Sequence, residues 1–92
     1  MKTKKEIRPW GWAICFAQTD TYTGNILFIK QGENAELKGS IYCLEGRANI
    51  TIKKDTTEIL LLTPSYAYEL DGIVEAKENT LLVLIESIRN EN

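Results

Sequence analysis

Histidine is absent from this 92-residue chain, and its absence excludes several kinds of chemistry. Without an imidazole the chain cannot form a Ser-His-Asp triad, a His-ligated metal centre or a histidine acid–base catalyst. Eleven basic against thirteen acidic residues give a net charge of −2, so the excess of positive charge that binds nucleic acids or anionic membranes is missing too. No apolar run reaches the ~20 residues that span a bilayer. We therefore expect neither nucleic acid nor membrane as a partner.

Cysteine is also scarce, with two residues in the whole chain. A small secreted domain held by disulfides usually carries more, so the sequence predicts a cytoplasmic protein. Cys15 and Cys43 are predicted to be small buried hydrophobes. A bridge between them stays open as an alternative, because adjacent strands could bring the two thiols together.

The length allows one domain, which we assign to residues 1–92. The basic start of the chain has the charge of a signal peptide, but Glu6, Arg8 and Pro9 interrupt the segment after it. We therefore predict a flexible N-terminal arm over residues 1–7 rather than a targeting segment, and a frayed C-terminus over residues 89–92.

Most of the chain consists of short apolar segments separated by turn residues. Residues 10–17 place bulky side chains at even positions and small ones at odd positions, which predicts a β-strand with one bulky face. Residues 48–53 alternate in the same way, with Ala48, Ile50 and Ile52 on one face. Further strands are predicted at residues 26–29, 41–44, 59–62, 66–68 and 73–74, with turns at 24–25, 31–34, 54–56 and 71–72.

The last apolar segment, residues 81–85, fits two structures. Apolar residues at 81, 82, 84, 85 and 88 would suit a helix face, but a strand here would pair into the sheet that the earlier segments require. We predict a strand. Seven or eight short strands without a long helix indicate an all-β protein, either a sandwich or a small antiparallel barrel.

Four segments then resemble the cupin superfamily: Arg8-Pro9-Trp10-Gly11-Trp12, the glycine turn at Gly32, Leu44-Glu45-Gly46 and Val74-Glu75-Ala76. The opening segment is similar to the start of the cupin domain in type II mannose-6-phosphate isomerases. The resemblance runs from residue 8 to about residue 87. It implies a small jelly-roll barrel.

The metal-binding motifs of that superfamily are incomplete here. In the second motif Gly72 and Asn79 match, but Glu75 stands where the family has a ligand histidine. The glycines that bound the first motif, Gly32 and Gly46, are closer together than in the family. The remaining oxygen and thiolate ligands are Glu36, Glu45, Glu75 and Cys43, and no loop motif gathers them around a hard ion. We expect no metal and no cofactor, and the metal-dependent activities of the family are not carried over.

Five residues are candidates for ligand binding: Trp12, Tyr42, Tyr66, Tyr68 and Glu75. The resemblance directs Glu75 to the barrel mouth, where it could act as an acid or base; the alternative is a solvated carboxylate near Lys77. Aromatic rings bind the faces of sugars, although rings in so small a domain are also needed to fill the core.

The function predicted from these features is a non-catalytic, metal-free binding module for a carbohydrate or similar small polar ligand. One alternative is a metal-independent sugar isomerase or epimerase that uses Glu75 or a tyrosine. Another is a structural or regulatory interaction domain without a pocket ligand. A homodimer is also expected, with the aromatic N-terminal strand as the candidate edge for pairing.

Overall fold

The computed structural model describes residues 4–52 and 58–87, and its regular structure consists of β-strands. The eight strands are β1 (Lys5–Arg8), β2 (Gly11–Gln18), β3 (Tyr22–Ile29), β4 (Asn34–Glu45), β5 (Ala48–Ile52), β6 (Glu58–Leu62), β7 (Ala67–Ala76) and β8 (Thr80–Ser87). The all-β prediction is confirmed, and the ambiguous last segment is a strand. No helix in the described ranges is long and apolar enough to cross a membrane.

All eight strands belong to one antiparallel sheet in the order β1-β2-β3-β8-β4-β7-β5-β6. The long strand β4 connects the two halves of this sheet. Its residues 34–42 pair with β7, and its residues 40–45 pair with β8. The sheet rolls up around a single core, with a Cα radius of gyration of 13.0 Å. The architecture is a small antiparallel jelly-roll barrel.

Alternate residues of the strands point into the barrel and form one aliphatic cluster. The alternation predicted for β5 is confirmed, because Ala48, Ile50 and Ile52 are all buried. The full cluster comprises Ala13, Leu27, Ile29, Ala35, Leu37, Ile41, Cys43, Ala48, Ile50, Ile52, Leu62, Leu70, Val74, Ala76, Leu82 and Leu84. Burial of these apolar side chains supplies most of the driving force for folding.

The bulky face of β2 lies on the outside of the barrel. Gly11 and Ala13 are buried, whereas Trp12 is only half-buried and stacks on Phe28 of β3, with ring centroids 5.5 Å apart. The pattern predicted the strand but not which face would point inward, because both faces carry apolar groups. Strand β2 also lies between β1 and β3, so the aromatic strand is not an edge of the sheet.

The predicted N-terminal arm over residues 1–7 contains part of an unpredicted strand. Residues 5–8 form β1, which pairs with β2 from Lys5↔Ile14 to Arg8↔Gly11. The segment has one apolar residue, Ile7, among three charged ones, so it shows no period-two apolar pattern. Glu6 and Arg8 form an ion pair with a 2.6 Å N–O distance.

Two glycines predicted as turns lie inside strands. Gly72 is within β7, between Leu37 of β4 and Ile52 of β5, and a Cβ there would lie 2.0 Å from the Thr51 carbonyl oxygen. Gly24 is within β3, beneath the ring of Phe16. In both cases glycine permits close approach rather than a change of direction. The turn predicted at residues 54–56 and the tail at 89–92 lie outside the described residues.

The glycine turn predicted at Gly32 is confirmed, Gly46 directly follows the end of β4, and both glycines have left-handed φ angles. The Gly32 N–H donates to the Ala76 carbonyl over 2.8 Å, and the Gln31 N–H donates to Asn79 Oδ1 over 2.9 Å. These bonds join the β3–β4 and β7–β8 connections at one end of the barrel. Asn79 therefore has a structural role there.

Candidate functional site

The sheet opens where β4 diverges from β8. Pairing between these strands begins at Ser40↔Ile85, so the first half of β4 is bonded to β7 but not to β8. Two clefts of about 410 Å³ and 500 Å³ lie at this opening, and both are lined by Lys38 and Glu86. Each volume falls within the ~300–1,000 Å³ typical of small-molecule sites.

The smaller cleft has an apolar floor and a polar rim. Its floor is formed by core residues, namely Ala13, Leu27, Leu37 and Leu84, and the partly buried Trp10 joins them. Its rim carries Glu6, Arg8, Asn25, Glu36, Lys38 and Glu86. Such a surface can pack against an apolar face of a ligand while amide, guanidinium and carboxylate groups bond to its polar atoms.

The larger cleft continues across β4 towards β7 and β5. Ile52 and Leu70 give it an apolar part, and Glu69 and Asp71 add carboxylates. The Ser40 hydroxyl donates to the Glu69 carboxylate. Across both clefts five acidic residues face two basic ones, Arg8 and Lys38. The opening is therefore negatively charged overall, which disfavours an anionic ligand.

The structure places three of the predicted aromatic residues on the outside of the molecule. The Trp12 ring is covered by the Lys5 ammonium, 5.0 Å from its centroid. Tyr42 and Tyr66 are exposed, at 42% and 54%. None of the three lines either cleft.

The remaining two predicted site residues make intramolecular contacts. Tyr68 packs against the core, and its hydroxyl donates to the Leu61 carbonyl oxygen over 3.2 Å. Glu75 lies on the outer face of β7 between Asn34 and Asn49, with its carboxylate 3.4 Å from the Lys77 ammonium. This position matches the alternative of a solvated carboxylate, and it is not at the clefts.

Sequence reasoning missed the cleft residues because they come from distant parts of the chain. Trp10 was visible as part of an aromatic run, but periodicity alone gives no preference for Trp10 over Trp12. The discriminating feature is position, since Trp10 lies in the turn before β2 and packs on the core, whereas Trp12 lies on the outer face.

The carboxylate and thiolate side chains that the sequence offered as metal ligands lie in different parts of the structure. Glu36 lines the smaller cleft, Glu75 pairs with Lys77 on the outside, and Cys43 is in the core. Across residues 4–52 and 58–87, no group of three or more Cys, Asp and Glu side chains is close enough to hold a metal ion.

Both cysteines are free thiols, so the alternative of a bridge does not apply to this structure. Cys43 is fully buried, and burial raises the pKa of its thiol, an effect partly opposed by a hydrogen bond with the Glu45 backbone. Cys15 is half-buried on β2, where its Sγ donates to the Ala17 carbonyl oxygen.

The raised pKa of Cys43 predicts a pH-dependent loss of stability. As the pH rises, the unfolded chain releases the thiol proton before the folded chain does. The free energy of unfolding should therefore fall while the pH lies between the ordinary pKa of a thiol and the raised pKa of Cys43, and this contribution should level off at higher pH. The slope contributed is at most about 1.4 kcal/mol per pH unit. Urea unfolding of the parent and Cys43→Ala across this range measures it, and an unchanged slope in Cys43→Ala would contradict the expectation.

The strand order, the rolled sheet and the opening between β4 and β8 define a small barrel with a ligand-sized mouth. Solved structures with the same architecture are cupins, so the chain has the cupin fold. A cupin superfamily protein from Desulfitobacterium hafniense superposes with a TM-score of 0.69 at 20% identity, over 84% of this chain and 76% of the other.

Longer proteins match as well. Oxalate decarboxylase from Bacillus subtilis gives a TM-score of 0.76 at 16% identity, over 92% of this chain and 27% of its own length. The capsular polysaccharide assembling protein CapF from Staphylococcus aureus gives 0.77 at 10% identity, over 99% of this chain and 32% of its own. This chain thus corresponds to about a third or less of either protein. By sequence, no protein-family model and no curated protein matches it.

Proposed function

We propose that this chain is a non-catalytic binding module for a neutral carbohydrate or a similar small polyhydroxylated ligand. The observation that carries the proposal is the smaller cleft, where an indole, an aliphatic floor and several carboxylates line one ligand-sized space. Sugars have apolar C–H faces and hydroxyl edges. Aromatic and aliphatic groups pack on the faces, and carboxylate oxygens accept hydrogen bonds from hydroxyl groups.

The N-terminal segment adds support. Arg8 and Trp10 belong to the segment that is similar to the opening of the cupin domain in type II mannose-6-phosphate isomerases, and both residues line the smaller cleft. CapF, one of the structural neighbours, is a capsular polysaccharide assembling protein. Both likenesses favour a sugar-related ligand.

The charge of the opening determines which sugars we expect. Its acidic residues outnumber Arg8 and Lys38, and the Arg8 guanidinium already bonds to Glu6. A phosphorylated sugar would bring negative charge towards these carboxylates. The proposed ligand is therefore uncharged, unlike the substrate of the isomerases that the N-terminal segment resembles.

Calorimetric titration with neutral hexoses and hexose 6-phosphates tests this proposal. We expect saturable binding of at least one neutral hexose and no binding of its phosphate. Glu86→Gln, in the residue shared by both clefts, should weaken binding by roughly tenfold, the cost of a lost hydrogen bond to a charged group.

Glu75→Gln is the matched control, because it makes the same chemical change on the outer face of β7. It should leave the affinity unchanged. Absence of saturable binding across the neutral sugars would overturn the proposed ligand class. Loss of binding in Glu75→Gln, with Glu86→Gln unaffected, would overturn the proposed position of the site.

A further inference from the structure

One half of the outer barrel surface is apolar, although the inner face of the same strands already forms the core. Two rows of paired residues cross this half. The first row runs Ile7, Trp12, Phe28 and Leu81 across β1, β2, β3 and β8. The second runs Lys5, Ile14, Ile26, Val83 and Tyr42, and reaches β4. The charged residues of these two rows are Lys5 and, where the first row reaches the bulge in β4, Glu45.

The opposite half of the outer surface provides an internal comparison. The rows that cross β4, β7 and β5 are Asn34, Glu75 and Asn49, followed by Glu36, Ile73 and Thr51. This is the alternation expected when one face of an antiparallel sheet contacts water. The apolar rows on β1, β2, β3, β8 and β4, which we call the apolar face, depart from it. Contiguous exposed apolar surface of this kind marks an interaction site.

We infer that the apolar face binds the same face of a second copy, which gives a symmetric dimer of two stacked sheets. Five large side chains at or beside the face are between 39% and 75% exposed: Ile7, Phe16, Tyr22, Tyr42 and Leu44. Taking the full surface of each of these side chains as about 200 Å², their exposed fractions together amount to roughly 500 Å² of exposed surface. The exposed parts of the half-buried side chains in the two rows bring the total exposed apolar area close to the ~800 Å² that each partner buries in a stable dimer.

Charge at the two margins of the face is complementary to a second copy. Lys5 lies on β1 at one margin, and the bulge in β4 places Glu45 beside Leu81 at the other. A two-fold axis parallel to the strands lays β1 of one copy over β4 of the other. Lys5 of each copy then lies over Tyr42 of the other, one row (about 7 Å) from Glu45. The long lysine side chain can span this offset and pair with the Glu45 carboxylate, and no like charges meet.

The mass in solution tests this inference, by light scattering over a range of concentrations. The parent should have about twice the 10.5 kDa of one chain. Ile26→Glu, at the centre of the second row, should give a single-chain mass with an unchanged circular dichroism spectrum. Ile73→Glu makes the same change on an interior strand of the polar half, and it should remain dimeric.

Two further measurements keep the test decisive if Ile26→Glu does not fold. Tyr42→Glu, at an exposed position on the face, should also give a single-chain mass. Lys5→Glu should weaken the dimer several-fold, and adding Glu45→Lys should restore it. A parent with a single-chain mass at all concentrations would overturn the inference, even if another protein bound the face. The same mass in solution for Ile26→Glu and Ile73→Glu would overturn it too. If Glu45→Lys did not restore the dimer weakened by Lys5→Glu, the symmetric arrangement would be overturned.

Discussion

Replacing Gly46 by alanine is expected to destabilise the protein by about 4 kcal/mol or more, a large part of the 5–15 kcal/mol that stabilises a small domain. Gly46 follows β4 with a φ of +98°. A Cβ at this position would lie 2.3 Å from the Asn79 carbonyl oxygen and 2.7 Å from Thr80 Cα. The two backbone segments would have to separate to admit it.

Hydrogen bonds oppose that separation. The Arg47 carbonyl oxygen accepts bonds from the Lys77 N–H, the Glu78 N–H and the Thr80 hydroxyl, at 2.8 to 3.1 Å. These bonds join the turn after β4 to the connection between β7 and β8, and Thr80 is fully buried. The steric cost therefore cannot be relieved by rotating a flexible side chain.

Gly32→Ala is the matched control for this prediction. Gly32 has a similar φ of +88°, but a Cβ there meets no atom within 4 Å. Its cost should be limited to the left-handed backbone conformation, about 1–2 kcal/mol. Urea unfolding measures both variants. Equal losses of stability would show that backbone conformation alone, and not the contact with residues 79 and 80, makes Gly46 necessary.

The sequence pattern predicted strands well where one face is apolar and the other polar. Strand β5 is the clearest case, since Ala48, Ile50 and Ile52 alternate with Asn49 and Thr51. Period-two alternation decides both the structure and its orientation in such a segment. In β2 both faces carry apolar groups, so the pattern predicts a strand but cannot tell core from outer surface.

Glycine was the main source of error in the fold prediction. Gly32 was correctly assigned to a turn, but Gly24 and Gly72, also predicted as turns, lie inside strands, where the ring of Phe16 and the backbone of β5 approach closely. A local sequence signal does not separate these uses, because the close neighbour is distant in the chain. The mistaken turn at Gly72 divided β7, which is a single strand of ten residues.

The candidate site depended still more on distant contacts. The clefts exist because β4 pairs with β8 only from Ser40 onward, and their walls combine residues from both ends of the chain. No sequence motif indicates where the pairing between β4 and β8 begins. The predicted Trp12 and Glu75 were chosen by residue type and spacing, and both lie on outer faces.

The filled interior of the barrel gives the second large expected effect, which also bears on where a ligand can bind. Ile50 is fully buried on β5, within the same cluster as Val74, Leu82 and Leu62. Truncation to alanine removes apolar contacts and leaves a void, so Ile50→Ala should lower the free energy of unfolding by about 2–5 kcal/mol.

Ile59→Ala is the appropriate comparison, because Ile59 lies on the adjacent strand β6 and is 66% exposed. Its cost should be about 1 kcal/mol or less, mainly the lower strand preference of alanine. Urea unfolding of both variants gives the difference. If Ile50→Ala cost no more than Ile59→Ala, the barrel centre would be loosely packed, and a ligand could enter it. A large difference would mean that the centre is closed by side chains, which leaves the mouth between β4 and β8 as the place where this fold can accept a ligand.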